Sequence, residues 1–93
     1  MDLDNNKLYF AKNGTVQDSG TGISIDDGYT YGFTVGDYYG TSEANFGNPT
    51  FSISSSNSDD NGYGSFEYSP NITGDGSAKK FYALCTKNLA EFG

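Results

Sequence analysis

The clearest pattern along the chain is an alternation of apolar and small polar residues over positions 29–35. Tyr29, Tyr31, Phe33 and Val35 occupy every second position, and threonine or glycine lies between them. Successive side chains of a strand point to opposite faces of a sheet, so a period of two indicates a β-strand. We therefore predict a strand over residues 29–35, with its aromatic face buried.

A β-hairpin is predicted near the start of the chain. Leu8 and Phe10 would share one face of a strand and Tyr9 and Ala11 the other, and this run leads to Asn13-Gly14. A type I′ turn needs positive φ at both central residues, and this dipeptide tolerates it best. We expect residues 15–17 to return antiparallel to the first arm.

Shorter apolar runs separated by Gly, Ser, Asn and Asp predict further strands. They lie at residues 23–25, 44–46, 51–53, 66–68 and 81–84, and the tail 86–93 is predicted to be irregular or to form one helical turn. The chain contains no repeat of fixed period and no shift in composition. We predict a single all-β domain over residues 1–93.

The composition provides neither a disulfide nor a typical zinc site to stabilise so small a domain. The 93 residues include one cysteine and no histidine, so an intrachain disulfide and the commonest zinc ligand are both excluded. A chain of this length buries only about 60% of the surface that its unfolded state exposes, which makes its stability marginal. We predict no cofactor and no bound metal.

The negative net charge of the chain limits the classes of molecule that it is expected to bind. The net charge is −7, from 12 acidic residues against five basic ones, all of them lysine. Nucleic acid and anionic membranes both require a basic footprint, so neither is an expected partner. No apolar run approaches the roughly 18 residues of a transmembrane helix, and the start Met1-Asp2 is acidic where a signal peptide is basic. We expect a soluble chain without a targeting segment.

Catalysis is not predicted. A nucleophilic triad needs a positioned base, and histidine, the usual one, does not occur in this chain. A pair of carboxylates could act on a glycoside, but acids in β-loops are more often turn formers.

The run Asn57-x-Asp59-x-Asn61-Gly62 resembles the opening of a calcium loop, although Glu67 stands one position before the expected bidentate acid. A plain polar loop is the favoured interpretation of this run.

Two loops carry candidate ligand-binding residues. Sugars stack on aromatic rings and pair their hydroxyls with carboxylates and amides, and both loops combine these groups. The favoured interpretation of the pair at 38–39 is nevertheless that one tyrosine faces the core and the other lies along the sheet, because a small β-domain needs its aromatic residues for packing. The candidates are Asp37, Tyr38 and Tyr39 in the first loop, with Asp59, Asp60 and Tyr63 in the second.

Three segments resemble motifs of one family in order and spacing. They are the hairpin at residues 2–14, the Asn-Phe-Gly strand at 43–51 and the closing Phe-Tyr-Ala-Leu-Cys-Thr-Lys-Asn-Leu at 81–89. Together they resemble the C-terminal half of a SPRY domain of the kind found in phage and other viral structural proteins. Residues 62–68 also resemble a linker strand of the viral versions. The polar stretch 71–80 is longer than the turn the family has there.

The resemblance implies an antiparallel β-sandwich of the concanavalin/SPRY-like type, of which this chain supplies part. The strands of the family's first half have no counterpart here, and the chain contains no tryptophan. Half a sandwich exposes the inner faces of its sheets and unpaired strand edges. We therefore expect the fold to be completed by a second copy, by a separate chain or by an upstream part.

Two functions follow as expectations. The first is a non-catalytic viral assembly module, such as a capsid decoration or tail appendage component, that associates with itself or with other virion proteins. Its expected location is the virion, or the soluble phase of the host cell before assembly. The alternative is a recognition module that binds carbohydrate, such as a surface glycan, or peptide through its loops.

Overall fold

The computed structural model describes residues 1–73 and 78–93. In these residues it contains six two-residue strands, which pair antiparallel as β1 with β4, β2 with β3, and β5 with β6. A short 3-10 turn at Asp18–Gly20 and one α-helix complete the regular structure. The elements are β1 Lys7–Leu8, β2 Ala11–Lys12, β3 Thr15–Val16, β4 Ile23–Ser24, β5 Ile72–Thr73, β6 Ala78–Lys79 and α1 Thr86–Phe92.

The hairpin predicted from Asn13-Gly14 is confirmed. β2 and β3 pair with Ala11 opposite Val16, and the two turn residues have φ of 50° and 77°. These positive values are those that a type I′ turn requires. A Cβ added to Gly14 would lie 2.6 Å from Cδ1 of Tyr68, so the glycine also permits close packing of that ring.

A second ladder joins the start of the chain to the strand predicted at 23–25. Leu8 of β1 lies opposite Ile23 of β4, and the Ile25 amide donates to the carbonyl of Asn6 at 3.0 Å. An isolated bridge between Asp2 and Lys7 precedes this ladder. The N-terminal segment is therefore fixed by backbone hydrogen bonds on both sides of residue 7.

The segment at 29–35 differs from the prediction. It pairs with none of the described strands, and its apolar side chains are exposed, with Phe33 at 69% and Val35 at 78%. A strand is stable only when its backbone groups and one face find partners, and the described residues supply no neighbour. The prediction that this face is buried is therefore wrong for the chain by itself.

The other predicted strands are also sparse. Residues 44–46, 51–53 and 81–84 lie outside the assigned strands, and the 66–68 prediction is reduced to a single bridge between Asn57 and Phe66. The tail, in contrast, forms α1, two turns of helix where one was expected. Three two-residue ladders are too small to compare with the two facing sheets of a sandwich, so the sandwich stays a prediction.

The hydrophobic core is minimal. Among the described residues, Cys85 is the one apolar residue that is buried, at 6% exposure. It lies beneath Gly47, where an added Cβ would come within 3.0 Å of the Cys85 Cβ. Elsewhere the rings of Tyr9 and Phe81 meet edge to face at 5.7 Å. Buried polar groups, rather than a layer of apolar side chains, join the helix to the loops.

Candidate functional site

The loop around Asp59 is a tight turn built by its own hydrogen bonds. The Asp59 amide donates to the carbonyl of Tyr63 at 3.0 Å, and the Gly62 amide donates to the carbonyl of Asp59 at 2.9 Å. Oδ1 of Asp59 accepts from the amides of Asn61 and Tyr63, both at 3.0 Å. Aspartate and asparagine favour such turns because their short side chains bond the backbone a few residues on.

The second oxygen of the same carboxylate reaches two other segments. Oδ2 of Asp59 accepts from the amide of Ala83 at 3.0 Å and from Nδ2 of Asn88 in α1 at 2.5 Å. Asn88 in turn donates to the carbonyl of Ala83 and accepts from Nδ2 of Asn61, each at 2.8 Å. One side chain, 5% exposed, thus joins the turn, the 81–85 segment and the helix. We call Asp59, Asn61, Ala83 and Asn88 the Asp59 cluster.

The Asp59 cluster holds a negative charge that makes no ion pair with a described residue. Burial raises the pKa of the Asp59 carboxyl, but the hydrogen bonds from Tyr63, Ala83, Asn88 and Asn61 outweigh this and lower the pKa below its usual range. The carboxylate is therefore ionised at neutral pH. Its four donors fill the lone-pair positions that two carboxylate oxygens offer.

This arrangement does not fit the calcium loop considered from the sequence. Both oxygens of Asp59 already accept protein hydrogen bonds, so a cation would have to displace four donors. The Glu67 carboxylate points elsewhere and accepts from the hydroxyl and the amide of Ser54. In the part of the chain that the structure describes, no group of three or more His, Cys, Asp or Glu residues is placed to hold a metal.

Asp60, the next candidate, is a surface anchor. Its carboxylate contacts Nζ of Lys80 at 2.9 Å and accepts from Nδ2 of Asn71 at 2.5 Å, and these hydrogen bonds, with that to Lys80 the larger, lower its pKa. Oδ1 of Asn71 accepts from the amide of Phe81 at 3.1 Å. The two neighbouring acids therefore bind Asn71, Lys80 and Ala83, three residues that are distant from them in sequence.

Tyr63 contacts the helix from the other side of the turn. Its hydroxyl donates to Oε2 of Glu91, which raises the pKa of the phenol, and Nζ of Lys87 lies 4.9 Å from the ring centroid. Asp59, Asp60 and Tyr63, the ligand-binding candidates of the second loop, therefore lie in one turn. Their polar atoms bind protein groups in this arrangement, which makes the cluster a structural joint.

The Asp37–Tyr39 loop is a separate surface feature. Tyr38 and Tyr39 are 90% and 92% exposed, and their rings meet edge to face at 4.5 Å. The favoured interpretation that one of them packs into the core is therefore wrong. The Asp37 carboxylate accepts from the hydroxyl of Ser42 at 2.5 Å. No contact between described residues joins this loop to the Asp59 cluster.

A broad groove that the sequence interpretation missed lies elsewhere on the surface. Its volume is about 1090 Å³, and its apolar lining includes Leu3, Tyr29, Tyr31, Phe33, Phe81 and Tyr82. The alternation at 29–35 is the signal that could have located it, because the same side chains were expected to be covered. Several large apolar side chains are therefore exposed along one groove.

Comparisons with protein-family models, with curated proteins and with solved structures find no match to this chain. Of the helices in the described residues, none has the length and apolar character needed to cross a bilayer. The site must therefore be interpreted from its own residues.

Proposed function

We propose that the chain is a non-catalytic assembly module that completes its fold on a neighbouring protein surface. The observation that supports this most strongly is the exposure of its apolar side chains. Tyr29, Phe33, Tyr82 and Leu84 are all more than half exposed and line one groove. An open apolar surface of this kind is typical of a protein interface.

The free energy available from covering this surface is of the same order as the stability of a small domain. Full burial of one large apolar side chain is worth about 1.5–3 kcal/mol. A domain of this size has a net stability of only about 5–15 kcal/mol. The four side chains are between half and 70% exposed, so covering them would contribute on the order of 4–8 kcal/mol, which is comparable with the lower part of that range.

The viral role within this proposal rests on the resemblance of residues 2–14, 43–51 and 81–89 to SPRY domains of viral structural proteins. On that basis the module is a capsid decoration or tail appendage component, located in the virion. Its neighbour is a second copy or another virion protein. A non-catalytic role is consistent with the carboxylates of Asp59 and Asp60, whose oxygens already bind protein donors.

Light scattering with far-UV circular dichroism on the purified chain tests the proposal. We expect either a defined oligomer or a poorly structured chain that binds an apolar dye and gains β structure with its neighbour. A stable monomer of 10.0 kDa that unfolds cooperatively and binds no dye would contradict it.

A recognition module for carbohydrate is the second candidate, favoured by the exposed rings of Tyr38 and Tyr39 beside the Asp37 carboxylate. Aromatic faces and a carboxylate are the groups that sugars contact. A glycan array would test it with the double variant Tyr38→Ala/Tyr39→Ala. Signals that this variant abolishes and that Tyr29→Ala preserves would support the candidate, and an array without signals would contradict it.

A further inference from the structure

We propose that residues 29–35 are a β-strand awaiting its partner, and that the partner is an extended segment of a different protein with alternating apolar side chains and basic flanks. This inference deepens the proposed function and rests on it. It assigns the docking edge and the chemistry of the occupant.

The backbone of this segment is unpaired. Between residues 29 and 36, no amide or carbonyl makes a hydrogen bond with any described residue. In the described part of the chain, the segment has one side-chain hydrogen bond, from the Tyr31 hydroxyl to the carbonyl of Asp26 at 2.7 Å. Backbone donors and acceptors without partners are a template to which another strand adds.

The side chains of the segment provide the second half of the docking surface. Tyr29, Tyr31 and Phe33 line the apolar groove, together with Phe81 and Tyr82. In strand addition the main chain supplies affinity, and pockets for alternate side chains supply specificity. The period of two therefore predicts a partner whose apolar residues also alternate.

Charge selects between a second copy and a different protein. All five lysines lie outside residues 13–78, so along the chain the segment is flanked only by acids, namely Asp26, Asp27 and Asp37. The groove lining adds Asp2 and Asp4 and one lysine, Lys80, whose ammonium is paired with Asp60. In the antiparallel register that overlays the whole segment on a second copy, Asp27 lies opposite Asp37 at both ends. In-register parallel pairing of two copies places each acid beside the same acid of the second copy. Like charges directly opposite destabilise a ladder, whereas basic flanks on the partner would complement these acids.

Binding of labelled synthetic peptides to the full chain tests the inference. The first probe has the sequence Lys-Lys-Val-Thr-Val-Thr-Val-Thr-Val-Lys-Lys. The second replaces every Lys with Glu, and the third keeps the composition of the first but makes its valines contiguous. Fluorescence anisotropy gives the affinities, and hydrogen exchange followed by mass spectrometry shows which amides become protected.

We expect the first peptide to bind at least tenfold more tightly than the other two, with protection confined to residues 29–36 and weaker binding at high salt. Phe33→Ser should weaken its binding at least tenfold, about 1.4 kcal/mol. Tyr39→Ser is the matched control, an exposed aromatic outside the groove, and should leave binding unchanged.

Three results would overturn the inference. If the chain forms an oligomer of its own in which 29–36 is protected, the occupant is a second copy, and the proposed function survives. If the acidic peptide binds as well as the basic one, or Tyr39→Ser weakens binding as much as Phe33→Ser, the assigned chemistry or edge is wrong. If the chain is a stable monomer that binds no peptide, both the inference and the proposed function fail.

Discussion

The side-chain amide of Asn88 donates a 2.5 Å hydrogen bond to the buried carboxylate of Asp59, which lies 29 residues earlier in the chain. This bond fixes α1 to the turn at 59–63. Because so few apolar side chains are buried, such polar contacts carry an unusual share of the tertiary structure. Each of them is correspondingly sensitive to substitution.

Asp59→Asn should destabilise the chain by about 2–4 kcal/mol, because an amide group replaces an acceptor and leaves buried donors unpaired. Urea unfolding at fixed protein concentration measures the loss. Asp37→Asn, at an exposed position with a single hydrogen bond to Ser42, is the matched control and should leave the midpoint unchanged within error. Equal midpoints for Asp59→Asn and the native chain would show that the cluster contributes nothing.

Stability should fall in acid, in part through Asp59. Its pKa is lower in the folded state than in the unfolded chain, where it is about 3.9. The unfolded state therefore binds the proton more readily, and the stabilisation present above pH 3.9 is lost as the pH falls towards the folded pKa. Asp60 and Glu67 have lowered pKa values too and act in the same direction. Between about pH 5 and pH 2, the free energy of unfolding of Asp59→Asn should therefore fall less steeply with decreasing pH than that of the native chain, without becoming constant. An unchanged slope would contradict the contribution assigned to Asp59.

The Cys85 thiol offers a local probe of the Asp59 cluster. It is buried beside Ala83 and starts the helix as the residue before Thr86. Reaction with a thiol reagent should be slow in the native chain and at least about tenfold faster in Asp59→Asn, since the weakened joint opens more often. Lys80→Gln, which removes an exposed ion pair, is the control and should react at the native rate. A native chain that reacts as fast as the urea-unfolded one would refute the packing described for Cys85.

Alanine substitutions at two glycines with nearly equal φ can distinguish the cost of backbone strain from the cost of steric overlap. Gly14 has φ of 77° and Gly28 has φ of 79°, but an added Cβ meets Tyr68 at 2.6 Å only in the first case. Gly28→Ala should cost about 1 kcal/mol from the left-handed conformation alone. Gly14→Ala should cost at least about 1 kcal/mol more, because the ring must move. Equal midpoints of thermal unfolding for the two variants would contradict the close packing of Tyr68.

Local signals in the sequence predicted local structure correctly. The Asn13-Gly14 hairpin and the strand near Ile23 form as expected, because turn chemistry and a short-range partner are both encoded nearby. The loop composition singled out Asp59, Asp60 and Tyr63, but the favoured expectation that one of the tyrosines at 38–39 packs into the core is wrong, because both rings are exposed. The hydrogen-bond partners of Asp59 could not be predicted, because Ala83 and Asn88 are distant in sequence and the motif at 81–89 in which they lie does not indicate a contact with Asp59.

The alternation at 29–35 shows the limit of such reasoning. Periodicity records that one face of a segment prefers to be covered, but it does not say which chain provides the cover. The alternation predicted that the aromatic face is buried, and in the described residues that face is exposed. The same pattern is compatible with a partner on another protein, which is the interpretation proposed for the groove.

Hydrogen exchange of residues 29–36 tests the central claim most directly. It should be measured on the full chain at a concentration where light scattering gives a single copy, and again after the neighbouring protein or the basic alternating peptide is added. We predict that these amides exchange at nearly the unprotected rate in the single copy and become strongly protected on binding. Slow exchange of the same amides in the single copy would show that the strand is already paired within its own chain, and would contradict the account.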